Sequence, residues 1–126
     1  VTLTTFTTNG TVSNTGTLTV TGAVNSTDGV FTNESGGVII ADNFENSGTL
    51  TNNGDITVNG TLTNNSGATI TNNDAGGASF TAETLVNSGT INGTITDPDG
   101  GTLPIDLLYL NCILLSIFLG LLYSHL

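Results

Sequence analysis

The residues that invite a chemical reading are threonines two apart: Thr17/Thr19, Thr49/Thr51, Thr61/Thr63, Thr69/Thr71 and Thr94/Thr96. On an extended strand such a pair points to one side, with its side chains about 6.8 Å apart. Stacked in register, several pairs make a grid of hydroxyl and methyl groups that can meet a periodic surface. Scattered, they are ordinary solvent-facing strand residues. The intervals between successive pairs do not match a coil of about 18 to 20 residues, so scattering is the expectation. Thr17, Thr19, Thr49, Thr51, Thr61 and Thr63 are the candidate surface-binding residues.

The carboxylates offer less. Asp28, Glu34, Asp42, Glu45, Asp55, Asp74, Glu83, Asp97, Asp99 and Asp106 stand singly at turn-like positions. A glycosidase needs two that converge. A lyase acting on acidic sugars wants a basic residue, and the chain has no lysine or arginine. Asp97-Pro98-Asp99-Gly100 has the alternating look of a calcium loop but lacks the later ligands and the distal glutamate, so it reads as a solvated turn. His125 and Cys112 are each the single residue of their type and lie in an apolar tail. Cys112 has no partner for an intrachain disulfide and reads as a small hydrophobe. No enzyme activity, cofactor or metal site is expected, although a fragment of a carbohydrate-active β-helix enzyme stays an alternative.

With ten acidic residues and no base, the formal charge is −10. Nucleic acid is excluded as a partner, because phosphates are neutralised by Lys and Arg. Attraction to anionic lipid headgroups fails for the same reason. Side-chain salt bridges cannot form without lysine or arginine, which leaves backbone ladders and apolar stacking to hold the fold. A chain that opens at Val1, with neither Met nor leader, reads as a processed product or a fragment.

The elements that must position the threonines come from a repeat. Asn-x-Gly-Thr-Leu-Thr recurs as Asn14–Thr19 and Asn46–Thr51. Shorter or varied copies follow at Asn53–Thr57, Asn59–Thr63, Asn65–Ile70, Asn87–Ile91 and Asn92–Thr96. Apolar residues keep a six-residue beat through Val12, Leu18, Val24 and Val30, and again through Val38, Phe44, Leu50, Ile56 and Leu62. Six is not a helical period, and glycine so often repeated costs a helix roughly 1 kcal/mol each time. Each unit reads as a short strand, with Leu inward and both Thr outward, ended by an Asn/Gly corner with left-handed backbone. Three such arcs make one coil, and coils stack in parallel about 4.8 Å apart. The expectation is an all-β parallel solenoid, a right-handed β-helix by the crossover rule, of about five coils over residues 1–97.

These units resemble the repeats of large bacterial surface proteins of the filamentous-haemagglutinin and autotransporter-adhesin type, over about residues 9–97. The resemblance implies an exported β-helix that serves as a stalk or adhesin. A stacked Thr array, for its part, resembles the ice-binding face of some antifreeze solenoids.

After Asp97-Pro98-Asp99-Gly100-Gly101 the composition changes, and residues 98–102 read as a linker. Leu103-Pro104-Ile105-Asp106-Leu107-Leu108-Tyr109-Leu110-Asn111 resembles the string that often precedes the C-terminal sorting domain of exported Bacteroidetes proteins. Asp106 stands where Glu is usual and Leu110 where an aromatic is usual. The resemblance implies the type IX export route. From Leu107 the tail is almost wholly apolar, at the short end of a membrane span. Residues 103–126 read as an anchor, as a cap on the open solenoid end, or as sequence foreign to the module.

The expected function is a structural or adhesive repeat module on the outer surface of a bacterium, secreted or cell-attached, without catalysis. Its Thr/Asn faces would meet glycans, host or matrix proteins, or other copies joined through solenoid ends. Membrane contact requires that the 107–126 stretch be a native anchor. An ice-binding solenoid is the alternative.

Overall fold

The computed structural model describes residues 1–103 and, in the tail, Leu119. The expectations for the tail, including those for Asp106, Cys112 and His125, lie outside the described residues. The rest is a β-solenoid of about five coils, as the six-residue beat predicts. Its strands are β1 (Thr2–Leu3), β2 (Phe6–Thr8), β3 (Thr11–Asn14), β4 (Thr17–Ser26), β5 (Val30–Asn33), β6 (Val38–Asn46), β7 (Thr49–Asn52), β8 (Asp55–Asn64), β9 (Thr69–Asn72), β10 (Ser79–Asn87) and β11 (Thr90–Asn92). A 3₁₀ turn at Asp74–Gly76 interrupts the last full corner.

Two parallel sheets result. One contains the long strands in the order β1-β4-β6-β8-β10, with β2 also on β4, and the other runs β11-β9-β7-β5-β3. Each long strand is two arcs joined at an irregularity, between Val20 and Ala23, Ala41 and Phe44, or Ala82 and Thr84. The three expected arcs per coil are therefore the two halves of a long strand and one short strand. Bulges of this kind bend a strand without ending its ladder.

The interior is a set of stacked apolar files. Leu18, Ile39, Ile56 and Phe80 form one file, with Val20, Ala41, Val58 and Ala82 beside it. Val24, Phe44 and Leu62 form a second, and Phe31, Leu50, Ile70 and Ile91 a third; all of these residues are buried. Each large side chain so removed from water contributes roughly 1.5–3 kcal/mol. Phe31 meets Phe6 and Phe44 edge-on, with ring centroids 6.0 and 5.7 Å away, the geometry that aromatic quadrupoles favour.

The beat fails at two places. Val30 and Val38, expected inside, stand in the outward registers opposite Thr49 and Asp55, while Phe31 and Ile39 take the inward places. At Val30 the corner explains it, since Ser26-Thr27-Asp28-Gly29 has one residue more than Asn46-Ser47-Gly48. At Val38 the bend explains it, because Phe44 follows Ile39 by five residues where Leu62 follows Ile56 by six. A slip of one residue exchanges the two faces of a strand, so selection for an inward apolar residue moves to the next position.

A second correction concerns asparagine. Among the described residues, no non-glycine residue has a positive φ, so Asn does not supply their left-handed corners. It closes the strands instead, with its side chain inside. Asn33, Asn46, Asn52 and Asn64 are fully buried. Glycine serves the corners chiefly by close approach: a Cβ on Gly54 would lie 2.2 Å from the Gly37 carbonyl oxygen of the preceding coil.

Residues 97–101 turn back on themselves. The Asp97 carboxylate accepts from the Gly101 amide (2.7 Å), Thr102 bridges Thr96, and Leu103 N–H reaches the Ile95 carbonyl (2.9 Å). The Asp97 carboxylate is thereby engaged in closing a hairpin. Among the described residues, no helix is long and apolar enough to cross a membrane.

Candidate surface-binding face

The short strands place their alternate residues in two outward files. One is Thr11, Val30, Thr49, Thr69 and Thr90; the other is Ser13, Thr32, Thr51, Thr71 and Asn92. All ten are exposed or half-buried. The register runs through these five strands without a shift, so the grid is regular. On standard strand geometry it measures roughly 19 Å along the stack by 7 Å across.

Asparagine ladders hold the register from inside. Asn14 donates to Asn33 (2.8 Å), Asn33 to Asn52 (2.9 Å) and Asn52 to Asn72 (2.8 Å), each through Nδ2 to Oδ1 one coil on. The same amides donate to backbone carbonyls, as Asn33 does to Gly37 in a corner (3.0 Å) and to Asp55 at the start of β8 (3.2 Å). A buried amide left unpaired costs about 1–3 kcal/mol, so each ladder step penalises a slipped coil. Side-chain ladders of this kind also help to keep a stacked sheet from twisting. A second ladder closes the long strands through Asn46, Asn64 and Asn87 (3.0 and 2.9 Å). Its first place holds Ser26, in register with Asn46, and the buried Ser26 Oγ has no hydrogen-bond partner among the described residues.

Of the candidate threonines, Thr49 and Thr51 fall on this grid and are joined there by Thr69 and Thr71. Thr17 and Thr19 stand on the first half of β4, where the next coil presents Val38 and Ile40. Thr61 and Thr63 stand on the second half of β8, with Thr63 between Glu45 and Val86. The expectation of full scattering thus fails for two adjacent pairs. Counting only Thr-x-Thr strings misses Thr11, Thr32 and Thr90, whose partners two residues away are Ser13, Val30 and Asn92. The ladder residues carry the signal that finds them: Asn14, Asn33 and Asn52 recur at 19 residues and Asn72 follows at 20.

Charge is kept off the grid. None of the five short strands contains an acidic residue, whereas Asp42, Glu45, Asp55 and Glu83 lie in the long strands. Asp28, Glu34 and Asp74 occupy corners, and Glu34 accepts from Ser13 Oγ (2.8 Å) at the rim. Among the described residues, no three acidic, histidine or cysteine side chains gather as a metal site.

No protein-family model matches the chain, and neither does any curated protein or solved structure.

Proposed function

We propose that the solenoid is a structural and adhesive module of an exported bacterial surface protein, and that its short-strand face is the adhesive surface. The observation that supports this reading most is the segregation of side chains. A chain of formal charge −10 keeps one regular face free of acids and lines it with threonine. An inert spacer has no need of such sorting, since any polar residue satisfies a solvated strand face. The filled interior and the two asparagine ladders suit a load-bearing rod that presents this face at a distance. Secretion or display on the outer surface agrees with the resemblance of the repeats to surface adhesins.

The test is retention of the full chain on a panel of hydroxylated solids, ice included, and on immobilised glycans and matrix proteins. Thr51→Glu, which places a charge in the centre of the face, should abolish retention. Thr63→Glu, on the second half of a long strand, should leave it intact. Failure to bind any member of the panel, or equal loss in the two variants, rejects the short-strand face as adhesive.

A further inference from the structure

We infer that the partner of the short-strand face is crystalline water: the ten-residue grid is an ice-binding surface. This inference rests on the adhesive reading of that face and names its ligand.

The side-chain chemistry leaves few other occupants. With no lysine or arginine in the chain and no acid on the short strands, the face has no cation for phosphate or sulfate, and the neighbouring carboxylate of Glu34 is engaged by Ser13 Oγ at the rim. The face has no outward aromatic either, since Phe31 points into the core. Flat sugar rings therefore find no stacking platform. Protein partners find none of the Trp, Tyr or Arg anchors that dominate binding energy at interfaces. What remains is a lattice of hydroxyls and methyls. The hydroxyl donates to and accepts from water, while the methyl orders the water around it.

Geometry supplies the specificity. Side chains repeat about 4.8 Å along the stack and about 6.8 Å across it, close to the oxygen repeat on faces of hexagonal ice. Threonine is stiff at χ1, so the array is ordered before it meets ice and little rotamer entropy is lost on binding. Five coils held in register by the asparagine ladder make many weak contacts act together. Val30 keeps a methyl of the threonine shape at its place, so the file is continuous in volume if not in hydroxyls. The long-strand sheet offers one such file, Thr2, Thr19, Ile40, Thr57 and Thr81, but the file beside it runs Thr17, Val38, Asp55 and Ser79 and sets a carboxylate in the array. Its second half places Thr63 between Glu45 and Val86.

The experiment uses the full chain, labelled with a fluorophore, on a single-crystal ice hemisphere, together with ice-recrystallisation assays. The wild type should adsorb to defined crystal planes and slow recrystallisation. Thr51→Tyr and Thr32→Tyr, which raise a ring above the grid, should each weaken inhibition by about tenfold or more, with circular dichroism unchanged. Thr63→Tyr should leave it unchanged. A wild type that does not adsorb to ice overturns the inference, and so does an equal loss from Thr63→Tyr. If ice fails while another hydroxylated solid is bound through the same face, the adhesive reading survives and only its ligand is wrong. Should nothing be bound, both fall.

Discussion

The short-strand and long-strand sheets are made from one repeat and climb the same coils, yet they differ in regularity, charge and strand-end polarity. The short strands pair without a register shift and carry no acid. Each long strand bends at an irregularity, and three of the four carry acids: Asp42 and Glu45 on β6, Asp55 on β8 and Glu83 on β10. Along the short strands the ladder runs unbroken through Asn14, Asn33, Asn52 and Asn72; in the long strands it begins only at Asn46, after Ser26. The contrast teaches that a solenoid needs its corners and bends somewhere, and that confining irregularity to one sheet leaves the other free to be a lattice.

The comparison can be broken first at the core the two sheets share. Leu50→Ala, at a fully buried place on β7, should cost about 3–5 kcal/mol, read as a lower midpoint in chemical denaturation. A much smaller loss means that the short-strand arc is not packed as described. The ladder comes next. Asn52→Ala removes the bond from Asn33 and the bonds to Asn72 and the Ser79 carbonyl (2.8 Å), and should cost roughly 2–3 kcal/mol. A cost below that of Thr51→Ala denies the ladder its role in holding register.

A gain is expected at Ser26. Ser26→Asn places an amide where the second ladder is interrupted and gives the buried site donors and an acceptor in register with Asn46. Stability should rise by about 1 kcal/mol, and an unchanged or lower midpoint refutes the interrupted-ladder account. The smallest effect belongs to the face itself. Thr51→Glu should move the denaturation midpoint by no more than about 0.5 kcal/mol while removing adhesion. A large loss of stability there means that the threonines serve the fold rather than a ligand.

Much of this was legible in the residues, though unevenly. The six-residue beat of Leu18, Val24, Phe44, Leu50, Ile56 and Leu62 suffices for a three-arc coil, because only inward positions repeat apolar side chains. It puts Val30 and Val38 on the wrong face, since a longer corner before Val30 and a shorter bend after Val38 alter the phase, and neither carries hydrophobic signal. The second inward file of Val20, Ala41, Val58 and Ala82 escaped notice because small apolar residues also suit turns. Asparagine was read by its propensity for corners, whereas burial and cross-coil partners decide its place. Thr49 and Thr51 were found as a pair, but their neighbours on the grid came only with the register.

The fold class, the coil of three arcs and the outward threonines follow from the residues alone, because each depends on local period. Which threonines share a face, where the asparagines point and that one face is free of acids come from the stacked coils. Those depend on which residue lies one coil above another. Corners of unequal length make that relation vary along the chain, and cross-coil hydrogen bonding and apolar stacking fix it.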